Sequence, residues 1–218
     1  MVVLSIGGLK AQGVDMFTER EIMWLGLDFT GAKLIGTTHF QQQIAARRLM
    51  TVNQLFDSWN TQIVREASKF NFEDFYVKRI RTNDLLPVNK RNNAIDPESI
   101  MVNDVHTLDK KTVADICSTY TNLQKQSGLG LLYVVESFDF VNKTASIYVV
   151  FLDIADARPL YIKKFESVPA GRVDVVDEGL LRWILETLVL ALFNIGRLSS
   201  FFLFLNDHYG ARLGIKSL

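Results

Sequence analysis

The sequence predicts an α+β fold: one mixed sheet holding an antiparallel three-stranded meander over about residues 131–166, with helices over about 51–68, 109–125 and 178–195 packed on it. Three observations carry that class. Between Gly130 and Glu166, three apolar, β-branched and aromatic runs follow one another with only turn-forming residues between them, the pattern of consecutive hairpins. Leu131 to Val135 and Ile147 to Leu152 are apolar on both faces, as central strands covered on each side must be. In three further segments, over about 51–68, 109–125 and 178–195, the apolar residues recur at helical spacing.

Ile22 to Phe29 reads as a first strand, closed by Thr30 and Gly31, with Leu34 to Gly36 as a short continuation. Thr51 and Gln54 have capping-box spacing, and Val52, Leu55, Phe56, Trp59 and Ile63 form one apolar stripe running towards Ala67, so a helix is expected there. Phe70, Phe72, Phe75 and Tyr76 are expected beneath its end. Val77 to Arg81 reads as a strand, residues 82–98, with Pro87 and Pro97, as an exposed excursion, and Ile100 to Val105 as a further short strand. Val113, Ile116, Cys117 and Tyr120 fall at i, i+3, i+4 and i+7, with Gly128 past the end, which predicts a helix that buries Cys117. In the meander, Leu131–Val135 is expected to pair with Ile147–Leu152, and that run with Leu160–Phe165. Lys163 and Lys164 protect the last run as an edge.

The 218 residues and 48% hydrophobic content suffice for one core, and no repeat or composition break divides residues 13–218, which are read as a single domain. Residues 1–12, MVVLSIGGLKAQ, resemble the back half of a secretory signal without its basic front, a truncated signal-peptide remnant. This favours export to the periplasm or medium over a cytoplasmic location. Twenty-four basic residues balance twenty-four acidic ones, so no overall field draws nucleic acid. Leu180 to Leu205 is apolar, but Arg182, Glu186 and Arg197 interrupt it. Its uncharged part is about half the roughly 20 residues a span requires, so no transmembrane span is expected. Leu181, Ile184, Leu185, Leu188 and Leu192 instead mark the face of a core helix.

No phosphate-binding, dinucleotide, zinc-protease or serine-hydrolase signature is present. The single Cys117 excludes an internal disulfide and a thiolate cage, and on an apolar stripe it reads as inert packing. His39, His106 and His208 have no ligand spacing. Asp28, Glu136, Asp139 and Asp153 fall in or at the ends of expected strands, where two could converge as an acid and base pair. The weighed alternative is four separated structural acids, with Glu136 and Asp139 on opposite faces of an unbulged strand. Lys78, Arg79, Arg81, Lys90 and Arg91 form a basic region that Glu73, Asp74 and Asp84 dilute into a mixed-charge face. Asn142-Lys143-Thr144 matches the glycosylation triplet but is explained as a turn. No catalytic, cofactor-binding or metal-binding residue is therefore assigned.

Three blocks, MWLGLDFTGAKLIG, GLGLLYVVESFD and YVVFLDIADARPLYIKKF, resemble an uncharacterised family of small exported bacterial proteins over Trp24 to Gly171. The strand and turn of Phe151 to Tyr161, FLDIADARPLY, are similar to the α/β module of the TolB N-terminal domain and of lipoprotein activators of penicillin-binding proteins. The resemblance implies a non-enzymatic envelope binding or assembly module whose partner is another envelope protein. It supplies no catalytic residues, and it has no counterpart for residues 196–218. The alternatives are a small enzyme using the strand-end carboxylates and a cytosolic regulatory or structural protein.

Overall fold

The computed structural model describes residues 13–38, 51–68 and 72–167. Its elements are β1 (Glu21–Asp28), β2 (Lys33–Ile35), α1 (Val52–Arg65), α2 (Phe72–Tyr76), β3 (Arg79–Asn83), α3 (Leu86–Asn93), α4 (Pro97–Ile100), β4 (Met101–Val102), α5 (Lys110–Cys117), β5 (Leu129–Asp139), β6 (Thr144–Asp153) and β7 (Arg158–Ser167). The expected helix over 178–195 and the leader-like residues 1–12 lie outside the described residues, as do His39 and His208.

The expected fold class is corrected. The sheet is organised by parallel strands in the order β3-β1-β5-β2-β4, with helices on both faces, an α/β arrangement. β5 is the shared strand. Its Leu129–Val134 pairs with β1 and its Ser137–Asp139 with β2, while β6 pairs antiparallel along its whole length and β7 pairs antiparallel with β6. Because β6 occupies one edge of β5 throughout, β1 and β2 lie end to end along the other. Residues 29–32 interrupt them, and there β5 answers with a bulge at Glu136, between the Val135 and Ser137 pairings. Parallel partners are joined by long crossovers and leave no turn in the sequence, so neighbouring strands along the chain do not reveal the class.

The segment read as an exposed excursion, residues 82–98, is also corrected, for it folds into α3 and the start of α4 and buries Val88 and Asn92; Ile100, expected to open the next strand, instead closes α4 and is buried, and that strand is Met101–Val102. Of the helix expected over 51–68, Val52–Arg65 forms, and Thr51 and Gln54 make the reciprocal cap. Of the one expected over 109–125, only Lys110–Cys117 is α-helical, yet Tyr120 beyond its end is still fully buried.

One apolar cluster joins α1 and α2 to one face: Trp24, Leu27, Phe29, Phe56, Trp59, Tyr133, Val135, Phe138, Val149 and Phe151 are among its members. The other joins α5 and Val88 to Met23, Leu25, Leu132, Val134, Tyr148 and Val150. In β1 the alternation slips at Leu25, because Trp24 faces Leu131 and Gly26 faces Leu132. Gly26 takes φ +102°, and a Cβ there would stand 2.6 Å from Val88 Cγ1 and 2.8 Å from Asn60 Oδ1. Only glycine fits both the backbone and the space.

Candidate functional site at the carboxyl end of β1

In open α/β sheets, ligands collect outside the carboxyl ends of parallel strands, so the end of β1 is the first place to look. β3 last pairs with β1 at Trp24, and the outer edge of β1 beyond it faces α1 and α3. Its backbone groups are satisfied by two buried asparagines. Leu27 N–H donates to Asn60 Oδ1 at 2.6 Å, and Leu27 C=O accepts from Asn60 Nδ2 at 3.1 Å and from Asn92 Nδ2 at 2.9 Å. Phe29 N–H donates to Asn92 Oδ1 at 2.9 Å. A side-chain amide carries one acceptor and two donors, so these residues do for β1 what a further strand would do.

Asp28 points to the opposite face, and its carboxylate is fully buried. Oδ1 accepts from the Thr30 N–H at 2.8 Å and from the Thr30 hydroxyl. Oδ2 accepts from Arg91 Nε at 2.9 Å and from the Tyr120 hydroxyl at 2.7 Å. Arg91 Nη2 also donates to Thr30 Oγ1 at 2.8 Å, and its guanidinium carbon lies 5.5 Å from the centre of the Tyr120 ring. Burial alone would lower the Arg91 pKa, but the Asp28 charge, the hydrogen bond to Asp28 and the neighbouring Tyr120 together offset it and hold the guanidinium above its ordinary value. Burial, and then Asp28, drives Tyr120 well above its ordinary value. The same two causes push the Cys117 thiol up to about 12, so it is no nucleophile at neutral pH.

Glu136 stands on the same face, two residues along β5 from Val134, the partner of Asp28. It is buried, accepts from the Leu108 N–H at 2.6 Å and pairs with Lys164. Burial would lower the Lys164 pKa, yet Glu136 holds it raised. Tyr148 donates its hydroxyl to Leu108 C=O, and His106 Nε2 lies 2.9 Å from Gly31 C=O. The segment before α5 is thereby tied over the interruption between β1 and β2.

The structure thus brings Asp28 and Glu136 to neighbouring positions and leaves the other two acids elsewhere. Asp139 accepts from Val141 N–H, Asn142 N–H and Asn142 Nδ2, which closes the β5–β6 turn that holds the glycosylation-like triplet. Asp153, opposite Leu129 at the far end of β5, accepts from Val14 N–H and Ala155 N–H and lies 3.7 Å from Arg158. The expectation that Glu136 and Asp139 take opposite faces fails for a physical reason. The bulge puts Val135 and Phe138 in the same cluster, so alternation resets between them.

The basic region is used mostly within the fold. Lys78 is buried against Glu19 C=O, Arg81 pairs with Glu21 at 2.9 Å, and Arg91 pairs with Asp28. Asn60, Asn92, Arg91 and Tyr120 carry this site, and sequence reading gave none of them that role. Pro87 and Pro97 in the first turns of α3 and α4 were the available signal. Among the described residues no group of three or more His, Cys, Asp or Glu could hold a metal ion, and no helix is long and apolar enough to cross a membrane.

No protein-family model matches the chain, and no curated protein matches its sequence. Among solved structures, the lipoprotein GNA1162 from Neisseria meningitidis aligns with 80% of this chain and 97% of its own, at 13% identity and a TM-score of 0.25. A likeness that loose assigns neither fold nor function.

Proposed function

We propose that this chain is a non-enzymatic binding or assembly module of the cell envelope that works by contact with another envelope protein. One observation carries the non-enzymatic part: each of the four strand-end acids is committed to partners within the fold. Asp28 is saturated by four donors, Glu136 is paired with Lys164, and Asp139 and Asp153 each bond turn or loop amides. A general acid or base needs a free lone pair or a mobile proton within reach of substrate; Asp28 has no acceptor site left, and the other three are engaged by a cation or by backbone amides within the fold. The envelope part is supported by the leader-like N-terminus and by the sequence blocks described above.

The enzyme reading has one observation in its favour, the shared face of Asp28 and Glu136 on neighbouring strands. Its weakness is that both charges are already neutralised by Arg91 and Lys164, so the pair lacks the divergent environments that separate an acid from a base. The test is fractionation of the source cells, capture of the native protein and sequencing of its mature N-terminus. The expected result is recovery in the envelope fraction, a start beyond residue 12 and a co-purifying envelope protein. A cytosolic protein with an intact N-terminus would overturn the reading.

A further inference from the structure

β7 is an edge of the sheet: among the described residues it pairs with β6 alone. It is long, running from Arg158 to Ser167, and Pro159 through Phe165 are half-buried, whereas β5 and β6 are buried along almost their whole length. The direction of its backbone groups follows from the ladder. Ile154 N–H donates to Gly128 C=O across the Leu129–Asp153 pair. Backbone groups in an antiparallel strand turn alternately to either side, so Tyr148, Val150 and Leu152 turn theirs to β5. Ile147, Val149 and Phe151 turn theirs to β7, where they meet Phe165, Lys163 and Tyr161. The N–H and C=O groups of Ile162, Lys164 and Glu166 therefore point off the sheet. Pro159 pairs with Leu152, whose backbone serves β5, so its missing N–H costs the ladder nothing.

A long edge carrying Leu160, Tyr161, Ile162 and Phe165 invites another strand, and lysines are a common guard against it. Here both guards are drawn in. Lys164 pairs with the buried Glu136, and the Lys163 ammonium lies 5.3 Å from the centre of the Phe165 ring. Two copies of β7 pairing antiparallel about a two-fold axis present the same residues to each other, and one register suits them. Centred on Ile162, it sets Lys163 opposite the Tyr161 ring of the other copy, cation against aromatic face, and Lys164 opposite Leu160. No lysine meets a cation. Centring on Lys163 or on Lys164 sets that lysine against its own copy, a like-charge pair that repels. Centring on Tyr161 brings the bulge at Leu160, which has no partner in β6, next to the axis.

We propose that β7 is a dimerisation edge, on which a second copy of this chain adds its own β7 antiparallel about Ile162 and continues the sheet across the pair. The dimer stands apart from the envelope reading, which fractionation decides.

The test is sedimentation equilibrium and disulfide trapping of the purified full chain. The wild type should sediment as a dimer. Tyr161→Lys sets a lysine opposite Lys163 at both ends of the pairing, and it should weaken the dimer at least ten-fold with the circular dichroism spectrum unchanged. In a Cys117→Ala background, Ile162→Cys should cross-link to its own copy under mild oxidation. Directly opposed, hydrogen-bonded residues stand about 5.5 Å apart at Cα, within disulfide reach. Glu166→Cys, which this register carries far from its own copy, should not cross-link. A wild type that is monomeric at every concentration would overturn the proposal. So would a dimer that Tyr161→Lys leaves unchanged, or one trapped through Glu166→Cys rather than Ile162→Cys, because the contact would then lie elsewhere or in another register.

Discussion

Asn92→Leu tests whether buried asparagines replace a strand at the end of β1. Leucine is close in volume, so the packing change is small and the loss is polar. Phe29 N–H loses its acceptor and becomes an orphan in a buried place, which costs about 1–3 kcal/mol. Leu27 C=O loses one of two donors and keeps Asn60 Nδ2 at 3.1 Å, a loss of about 0.5–1.5 kcal/mol. The sum is about 1.5–4.5 kcal/mol. Equilibrium urea unfolding should show it as a lower midpoint at unchanged slope. Asn60→Leu orphans Leu27 N–H in the same way. Because the two amides share Leu27 C=O, the double variant should lose more than the sum of the singles. Asn92→Asp adds a test of sign. The protonated acid still serves both backbone groups, whereas the carboxylate faces a carbonyl, so its pKa in the fold is raised. Stability of this variant is then greatest in acid and falls as pH rises through that raised value. A cost below about 0.5 kcal/mol for Asn92→Leu, or a purely additive double variant, would refute the reasoning.

Arg91→Met leaves the Asp28 carboxylate buried without its cation and should cost about 3–5 kcal/mol in the same assay, most of which Asp28→Asn added to it should restore. Val77 is a β-branched residue at φ +53°, 80% exposed, at the point where Lys78 N–H closes the end of α2 on Glu73 C=O. Val77→Gly should therefore stabilise the protein by about 1 kcal/mol, read as a higher urea midpoint. Cys117 should resist iodoacetamide in the native state at pH 8 and react fully in denaturant. Its thiol is protonated in the fold up to about 12 and ionises near 9 when unfolded, so it contributes stability that is lost as pH rises above 9, a trend that alkaline unfolding curves would show.

What the sequence made legible was what local spacing encodes. The cap at Thr51 and Gln54, the stripe of α1 and the burial of Cys117 and Tyr120 all follow from neighbours within two helical turns. The parallel core was not legible, because β3 and β4 are five and two residues long and reach their partners across crossovers. The asparagines were missed for a related reason. Asn92 lies in LPVNKRNN, a run with little amphipathic pattern that reads as a solvated turn, and only the unpaired edge of β1, far away in sequence, gives it a buried role. Glu136 shows the same limit: its neighbourhood with Asp28 depends on a register and a bulge, not on spacing.

The most direct test of the central claim, that the strand-end acids serve structure, is a broad hydrolase and transferase screen of the purified protein beside Asp28→Asn, Glu136→Gln, Asp139→Asn and Asp153→Asn, with folding monitored by circular dichroism. The account predicts no turnover in any of the five proteins, and lower urea midpoints for Asp28→Asn and Glu136→Gln, whose acids are the two paired with buried or half-buried cations. Reproducible turnover in the wild type, abolished by one substitution that leaves the fold intact, would contradict it.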